Sequence, residues 1–430
     1  MDTTFFDKDI ETLTRERLRS LQQQKLTTLL ERCHGVNRFV TEKLESVGAS
    51  PEEVRLDTLA GLPFTTKDEL IAAQGDGPLS SNCTFPEMAY TRVHQTSGTT
   101  GEPLRVFDTA ESWEWWGRCW AFVLAGAGLT ARDRLFVPFS FGPFIGFWAA
   151  LGGARRIGAM MIPGGGGTSA QRLALMADMG ATALCCTPTY GLRLAEVARE
   201  EGFDLSSIPM RITVHAGEPG ASIPATKARL EEAWGARCHD HAGASEVGAH
   251  SFECEAQPGS THAIDSEFIV EVIEPGGDVA VPAGREGELV ITHLGRIGFP
   301  VIRYRTGDIV RIDGSPCPCG RAFTRFAGGL IARVDDMTVV RGVNIYPAAV
   351  EGLVRQHPSV DEYRVMISRR SELAGIRIEI ECRHDADAAS SAGRLEEHFV
   401  SALGLRPEVA VAPRGSLPRF ELKARRFFVE

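Results

Sequence analysis

Residues 181–202, ATALCCTPTYGLRLAEVAREEG, place a short apolar run directly before a helical segment. The same order recurs at 211–234, where RITVHAG precedes PATKARLEEAW, and at 134–163, where RLFVPF and RIGAMMIP flank another helical segment. Strand-then-helix units of this length, repeated along a chain, indicate parallel strands joined by helical crossovers. The sequence therefore predicts an α/β fold in which mixed or parallel sheets are flanked by helices.

The pattern changes twice toward the C-terminus. Between about 247 and 330, EFIVEVIEP, GELVITHL and DIVRID are short alternating strands separated by glycine and proline turns, which is typical of an antiparallel β-rich subdomain. After Arg333, two further strands and a helix from about Ala389 to Leu403 indicate a small α+β unit. We expect a large N-terminal domain at residues 1–333, which includes the β-rich subdomain, and a small C-terminal domain at 334–430.

Length and composition are those of a multidomain globular protein. The chain has 430 residues, too many for one ordinary core, and is 43% hydrophobic and 24% charged. Its net charge of -10 argues against nucleic acid as a partner, because phosphate backbones bind to basic surfaces. The phosphates of a nucleotide need only a local basic or backbone N–H site, so a nucleotide ligand stays open.

One stretch, Leu135 to Ala154, is apolar and long enough to cross a bilayer. Pro138, Pro143 and several glycines interrupt it, so we interpret it as a buried strand, a loop and a packed helix and expect no membrane partner. The acidic N-terminus lacks the features of a signal peptide, and ten cysteines are too sparse for a disulfide scaffold. We expect the reducing cytoplasm as the compartment.

The strongest local signal is the nine-residue segment 95–103, Gln-Thr-Ser-Gly-Thr-Thr-Gly-Glu-Pro. Its two glycines let the backbone approach a ligand closely, and its hydroxyl and N–H donors suit phosphate oxygens. It is not a Walker loop, because no Lys-Ser/Thr follows the last glycine. On composition alone, a polar turn explains it equally well.

The segment resembles the phosphate-loop signature of the adenylate-forming enzymes: acyl-CoA synthetases, peptide-synthetase adenylation domains and luciferases. Five more segments resemble motifs of that superfamily and follow one another in its order. They are Ala216-Gly-Glu-Pro219, Gly243-Ala-Ser-Glu246, Tyr304-Arg-Thr-Gly-Asp308, Arg333-Val-Asp-Asp336 followed by Arg341-Gly342, and Lys423 near the C-terminus. Singly, each could be an ordinary turn, helix-start or surface residue. Six in order over nearly the whole chain make coincidence a poor explanation.

The resemblance implies a role for each motif, with ATP, Mg²⁺ and CoA as cofactors. Lys423, Glu246 and Arg333 are implied as catalytic, with Glu246 also holding Mg²⁺, and Asp335 as the hinge of a mobile C-terminal lid. Asp308 is implied to bind the ribose hydroxyls. The implied nucleotide-binding residues are Thr96, Ser97, Gly98, Thr99, Thr100, Gly101, Ala216, Gly217, Glu218, Pro219, Ser245 and Asp308.

Adenylate chemistry explains why such groups are needed. A carboxylate is a poor acyl electrophile, and transfer of AMP to it creates a mixed anhydride with a good leaving group. Charge develops on the α-phosphate and the pyrophosphate, so catalysis consists mainly of positioning and electrostatic stabilisation. A lysine, a metal held by a glutamate and a loop of fixed dipoles supply it.

Three segments narrow the resemblance to phenylacetate–CoA ligases and their relatives. They are Leu62-Pro-Phe-Thr-Thr-Lys67, Cys317-Pro-Cys-Gly-Arg321 and Arg341-Gly-Val-Asn-Ile-Tyr-Pro347. The implied acyl pocket is lined by Phe141, Phe144, His215, Ala242 and Gly243, and its aromatic walls suit an aromatic acid, although a core strand end is an equal explanation. Where the family often has tyrosine, this chain has Ala242, so the adenine site or the acyl pocket is expected to be shaped differently.

Four residues of the β-rich segment form a candidate metal set. A Cys-x-Cys pair at Cys317 and Cys319 lies beside a proline and a glycine, and Cys254 and His262 bracket a Gly/Pro loop. Four N/S ligands make a closed tetrahedral zinc site, which is structural rather than catalytic. The alternative is four unlinked residues.

The sequence leaves several functions open. The first is activation of a small-molecule carboxylic acid and its transfer to CoA. The second shares the adenylation step but loads an aryl acid onto a carrier protein or an amine. The third, of another class, is a nucleotide-binding scaffold without catalysis, against which Glu246, Asp308 and Lys423 argue. The resemblance also makes a homodimer a reasonable expectation.

Overall fold

The computed structural model describes residues 3–75, 77–96, 102–341, 343–368, 375–383, 388–421 and 423–429. The chain begins with helices that pack against the rest of the large domain, and a two-stranded antiparallel hairpin follows them. Thr66 caps the fourth helix in a capping box with Glu69. These elements are α1 Lys8–Glu11, α2 Arg15–Cys33, α3 Arg38–Glu45, α4 Lys67–Ala72, β1 Tyr90–Gln95 and β2 Arg105–Thr109.

A parallel half-sheet with helical crossovers follows the hairpin, as the strand–helix alternation predicts. Its strands lie in the order β4-β3-β5-β6-β7, and every neighbouring pair is parallel. The strands are β3 Arg134–Val137, β4 Met160–Pro163, β5 Ala183–Cys186, β6 Ile212–His215 and β7 Arg237–Ala244. The helices are α5 Ala110–Gly126, α6 Trp148–Ile157, α7 Ser169–Asp178, α8 Pro188–Glu200 and α9 Pro224–Trp234.

The sheet continues into an antiparallel half, where the β-rich segment was expected. From β7 the strand order runs β8, β9, β13, β12, β11, β10, and β14 pairs with β12. The β12 strand carries the whole Tyr304–Asp308 motif, which the alternation pattern alone does not assign to a strand. The strands are β8 Gly248–Glu253, β9 Ser260–Ala263, β10 Phe268–Ile273, β11 Glu286–His293, β12 Tyr304–Asp313, β13 Arg325–Ala327 and β14 Ala332–Arg333.

The C-terminal part is a small α+β unit with its own apolar core. Val365, Ile378 and Phe399 are fully buried in a cluster formed by residues of 340–427 alone. A four-stranded sheet, ordered β19-β18-β17-β20, carries this core against two helices. The elements are β15 Thr338–Val340, β16 Val343–Ile345, α10 Pro347–Arg355, β17 Val360–Ser368, β18 Gly375–Cys382, α11 Ala388–Leu403, β19 Glu408–Val411 and β20 Phe427–Val429.

The apolar segment 135–154 forms strand β3, a loop and helix α6, as interpreted from the sequence. In the part of the chain that the structure describes, no helix combines the length and apolar character needed to cross a bilayer. All ten cysteines lie in the described ranges and are free thiols.

The order of strands and helices confirms the mixed α/β architecture predicted from the sequence.

Three segments singled out by the sequence meet at one edge of the parallel half-sheet. The aromatic segment 139–144 follows β3, the segment 216–219 follows β6, and the segment 245–247 follows β7. Carboxyl ends of parallel strands lie at one edge, and the order β4-β3-β5 reverses direction at β3. In open α/β sheets such a point opens a crevice outside the carboxyl ends, where ligands bind.

Candidate active site

The phosphate-loop segment connects β1 to β2 at the tip of their hairpin. Ser97, Gly98, Thr99, Thr100 and Gly101 lie outside the described residues. The two ends of the loop are closed against each other: Thr96 N–H donates to the Leu104 carbonyl at 2.9 Å, and Leu104 N–H donates to Thr96 Oγ1 at 3.0 Å. The entry and exit of the segment are therefore fixed by hydrogen bonds.

Glu246 lies in the tight turn between β7 and β8 and is 7% exposed. Its Oε1 accepts a 2.6 Å hydrogen bond from the hydroxyl of Tyr304 at the start of β12. Burial raises the pKa of Tyr304 well above its ordinary value, so the phenol remains a donor. Gly243 is required nearby, because a Cβ there would lie 2.8 Å from the Gly248 carbonyl oxygen across the hairpin. The fold therefore presents a carboxylate whose orientation a second side chain fixes.

Asp308 and Asp335 flank Arg333. Arg333 Nη1 contacts Asp308 Oδ1 at 2.9 Å, and its Nε and Nη2 contact the two oxygens of Asp335, also at 2.9 Å. Pairing of β12 with β14 sets Asp308 opposite Arg333. Burial raises the pKa of Asp308 to about 6, and Arg333 acts in the opposite direction. The segment Tyr304–Asp308 and the segment Arg333–Asp336 are therefore in direct contact.

The segment Ala216–Pro219 leaves β6 at the sheet edge, and its charged residue connects two parts of the chain. Glu218 Oε1 accepts the Thr189 N–H in the first turn of α8 at 3.0 Å. Its Oε2 accepts the Ala424 N–H of the C-terminal unit at 2.7 Å. The Glu218 carboxylate is thus occupied by backbone donors on both sides.

Lys423 extends from the C-terminal unit to this edge. Gly217 has φ +96, and a Cβ on it would lie 3.4 Å from Lys423 Cε, so the lysine lies against the glycine backbone. Lys423 is solvent-exposed, yet desolvation by surrounding protein atoms lowers its pKa, while Glu218 and Glu246 raise it. The ammonium group is therefore within electrostatic range of both carboxylates.

Contacts between α8, α9 and the C-terminal unit hold Lys423 there. Arg229 on α9 donates to the carbonyls of Arg355 and Val360 at 2.9 Å and to that of His357 at 2.5 Å, at the C-terminal end of α10. A helix C-terminus carries unpaired carbonyls and a partial negative charge, which a guanidinium complements. Arg419 also bonds Glu196 at 3.0 Å.

The aromatic segment after β3 lies beside the phosphate-loop segment. Gln95 N–H donates to the Pro143 carbonyl at 2.9 Å, which connects the two. Phe141, at φ 50, packs edge-on against Trp148 with centroids 4.8 Å apart, and both Phe141 and Phe144 are half-buried. Ala242, on β7, is 6% exposed.

His215 has a different place from the one implied by the sequence. Its side chain is 0% exposed, its Nδ1 contacts the Cys186 carbonyl at 3.1 Å, and Cys186 belongs to the apolar core beneath α8. The structure therefore corrects the assignment of this imidazole to the acyl pocket: a side chain at the end of β6 that turns toward α8 is covered by the helix. Two further histidines just before Ala242, His239 and His241, are also buried, at 3% and 4% exposed.

The four candidate zinc ligands come together although the first and the last are 65 positions apart in the chain. Their donor atoms all lie within 4.8 Å of one another, and all four side chains are buried. Cys254 Sγ is 3.7 Å from Cys317 Sγ, and Cys319 Sγ is 3.5 Å from His262 Nε2. Zinc–sulfur bonds of about 2.3 Å in a tetrahedron place sulfurs about 3.7 Å apart, so the donor set has the size of a zinc site.

Two residues of the candidate active site, Tyr304 and Lys67, have no role indicated by the sequence. Tyr304 orients Glu246, although only the last residue of its motif was assigned. Lys67, at the first position of α4, is among the charges that affect the pKa of Lys423. Each residue stands at one end of a motif that the resemblance singles out, which is the signal that could have identified it.

Family models match most of the chain. Residues 19–295 match the model described as AMP-binding enzyme, and residues 342–430 match the AMP-binding enzyme C-terminal domain. The phenylacetate-coenzyme A ligase of Escherichia coli is 30% identical over 97% of this chain and 96% of its own length. That of Thermus thermophilus is 29% identical over 97% of both chains.

Two solved structures of one enzyme, in two states of its reaction, match this chain to different extents. In the postadenylation state with R3-HIB-AMP, 2-hydroxyisobutyryl-CoA ligase is 28% identical, with a TM-score of 0.93 over 99% of this chain and 92% of that one. In the thioesterification state with CoA, the same ligase gives 29% identity and a TM-score of 0.74 over 98% and 92%. The arrangement described above is closer to the first state.

Proposed function

The chain belongs to the AMP-binding enzymes, in the branch of the phenylacetate–CoA ligases, and on that premise we propose that it joins a carboxylic acid to CoA in two steps. In the first, the acid carboxylate attacks the α-phosphate of ATP, and pyrophosphate leaves. In the second, the CoA thiol attacks the acyl carbon of the adenylate, and AMP leaves. The observation that carries the proposal is that Lys423 lies within electrostatic range of Glu246 and of Arg333, which bonds Asp308, beside the carboxyl ends of β6 and β7.

The catalytic assignments follow from charge and position. Lys423, whose ammonium group is within electrostatic range of Glu218 and Glu246, supplies a positive charge where negative charge develops on the α-phosphate. Lys67 adds a second cation in the same region. Asp308 accepts the ribose hydroxyls, and Arg333 holds it in place at 2.9 Å. The segments 96–101 and 216–219, with Ser245, surround the nucleotide, and Phe141, Phe144, Ala242 and Gly243 line the acid side.

Magnesium fits the Glu246 position by the chemistry of the donor. A carboxylate oxygen is a preferred ligand of this hard cation, and Tyr304 engages only Oε1, which leaves Oε2 for the metal. When bound, the ion neutralises charge on the ATP phosphates. The chain itself contributes the fixed direction of Glu246.

Zinc fits the set Cys254, His262, Cys317 and Cys319. The donor spacing agrees with a tetrahedral site, and His262 Nδ1 lies 3.3 Å from the Phe323 carbonyl, which leaves Nε2 for a metal. Four buried ligands leave no open position, so the role is structural. Thiolate ligands require a reducing compartment, in agreement with the cytoplasm expected from the sequence.

The domain division follows the separate apolar core of the C-terminal unit, which residues of 340–427 form alone. Residues 1–333 form the adenylation domain, with the β-rich subdomain at about 247–330, and 334–430 form a lid that turns about Asp335. Asp335 lies in the connection between β14 and β15 with its side chain 65% exposed, so its backbone can rotate without breaking a core contact. In the arrangement described, the lid delivers Lys423 for adenylation.

The substrate that we propose is an aromatic acid, because Phe141 and Trp148 offer ring faces beside the phosphate-loop segment. A carrier protein or an amine remains the alternative acceptor.

Pyrophosphate exchange into ATP, measured with a panel of aromatic and small hydroxy acids, tests the first step. Exchange with at least one acid is expected; ATP binding without exchange for any acid supports the scaffold alternative. A second assay compares CoA, carrier protein and amines as acceptors of the adenylate.

Asp308→Asn is expected to weaken ATP binding by about 1.5–3 kcal/mol, because it removes the charge from a charge-assisted hydrogen bond, and to leave the affinity for the acid within about twofold. The pKa of about 6 adds a pH signature: below pH 6 the wild-type carboxyl is protonated in the free enzyme, so its kcat/KM for ATP falls. The Asn variant lacks that group. Subtracting its pH profile removes the titration of ATP itself, and identical profiles for the two proteins would contradict the assignment.

A further inference from the structure

A fully buried ion pair lies beneath the turn that carries Glu246. Asp108 is on β2, Arg296 follows β11, and both side chains are 0% exposed. Arg296 Nε donates to Asp108 Oδ1 at 2.7 Å and Nη2 donates to Oδ2 at 2.8 Å. Two parallel hydrogen bonds hold the guanidinium and the carboxylate in one plane.

The remaining edge of Arg296 faces the turn itself. Nη1 donates to the Ser245 carbonyl at 2.7 Å and to the Glu246 carbonyl at 3.2 Å. The rings of Trp116 and Phe299 lie 5.3 Å and 5.6 Å from the guanidinium carbon. The apolar rings exclude water, so the direction of these two donors is fixed by the protein alone.

Asp108 connects this arrangement to the phosphate-loop segment. It lies on β2, which leaves that segment, and β2 pairs with β1, which enters it, in the register Arg92↔Asp108 and Gln95↔Arg105. One end of the ion pair is thus part of the hairpin that carries the loop. The other end holds the turn that carries Glu246.

Fold stability alone is a weak explanation for such a pair. Replacement of a buried ion pair by apolar side chains of similar volume is often neutral or stabilising, because desolvation of two charges offsets their attraction. A guanidinium, by contrast, offers five N–H donors in a rigid fork, which suits it to bond a carboxylate and two carbonyls at once.

We propose that Arg296, anchored by Asp108, is a positioning residue that fixes the Glu246 turn relative to the phosphate-loop hairpin, so that Mg²⁺ and the ATP phosphates are bound together. The inference rests on the proposed function, in which Glu246 holds the metal. Arg296 touches neither ligand and acts through the backbone of residues 245 and 246.

Calorimetric titration of ATP, with and without Mg²⁺, tests the inference on the full-length protein. The key variant is the double substitution Asp108→Leu with Arg296→Met, which removes both charges together. We expect it to unfold at nearly the wild-type midpoint. We expect the strengthening of ATP binding by Mg²⁺ to fall by about tenfold or more, as for loss of an outer-shell partner of a metal ligand, while metal-free ATP binding changes little.

Two further variants separate positioning from stability. Asp108→Asn leaves Arg296 buried without a charged partner, so both stability and the Mg²⁺ effect should fall. Glu11→Gln is the matched control, because Glu11 and Arg321 form another buried pair, 0% and 1% exposed, away from the Glu246 turn. It should lower stability and leave the Mg²⁺ effect on ATP binding unchanged.

The double variant decides between the two explanations. A stable double variant with the full wild-type Mg²⁺ effect shows that the pair is only structural and overturns the inference; so does wild-type protein whose ATP affinity is independent of Mg²⁺. If the double variant does not fold, Arg296→Lys, which keeps the charge and loses the fork, is held to the same criterion. The titration contains neither acid nor CoA, so it does not depend on acid activation. A protein that binds MgATP yet activates no acid would contradict the proposed function and leave this test valid.

Discussion

Lys423→Ala is expected to lower the rate of acyl-adenylate formation by about two to three orders of magnitude, the range for removal of one preorganised charge that stabilises a transition state. The structural reason is the place of Lys423 against Gly217, within electrostatic range of Glu218 and Glu246. The lysine belongs to the C-terminal unit, which contacts Arg229 here, and in the proposed mechanism it leaves the site when that unit turns as a lid. Thioester formation from a supplied acyl-adenylate should therefore stay within a few-fold of wild type.

Single-turnover measurements of each half-reaction check this prediction. Arg425→Ala is the matched control, since it removes one positive charge two residues away, from a side chain that is exposed and lies over Phe428 of the lid's own sheet. It should leave both half-reactions near the wild-type rates. Equal loss of the two half-reactions in Lys423→Ala would mean that the lysine serves the fold or both steps, contrary to the assignment.

Cys317→Ser is expected to release zinc and to cause a large loss of stability. Purified wild-type protein should contain about one zinc per chain, as a single tetrahedral site requires. Structural zinc binding contributes about 10–16 kcal/mol in small zinc-finger peptides, so removal of one thiolate is expected to lower the unfolding midpoint markedly in this larger domain as well. The cluster joins β8, β9 and the segment before β13, which lie far apart in the chain.

Metal analysis and thermal unfolding are measured on the same samples. Cys119→Ser is the control, because Cys119 is 0% exposed in α5 and belongs to the main apolar core, away from the cluster of Cys254, Cys317 and Cys319. It introduces the same buried hydroxyl and should retain zinc. Activity of Cys317→Ser should fall only in proportion to the folded fraction. Wild-type protein that is free of metal and fully stable, or that has a disulfide between these cysteines, would exclude the site.

Local sequence patterns determined most of the architecture. The alternation of apolar runs with helical segments at 134–234 sets the four strands β3 to β6 and their crossovers, because strand and helix periods are properties of neighbouring residues. The motif residues could be proposed for the same reason, since each motif is a run of a few consecutive positions. The four zinc ligands could be proposed because cysteine and histidine pairs are rare enough to stand out.

The supports of the site depended on tertiary structure. Nothing near Glu246 in the sequence indicates that Tyr304 orients its carboxylate or that Arg296 holds its backbone, since these residues lie 50 or more positions away. Glu218 was assigned to the nucleotide from its motif, but its oxygens bond Thr189 and Ala424. These contacts exist because β6, β7 and β12 belong to one sheet and because the C-terminal unit packs on α8 and α9.

The sequence also left open to which face of its strand a side chain points. His215 ends a strand whose residues are all buried, so its neighbours give no alternation from which to assign the imidazole to the crevice or to the core. Only the position of α8 over that face covers the side chain and removes it from the acyl pocket. The sequence alone determined which residue types the motifs of the candidate site contain, because each motif is a short run of neighbouring residues. The tertiary structure decided which of them meet, because strand order, helix packing and lid position bring together residues that are distant along the chain.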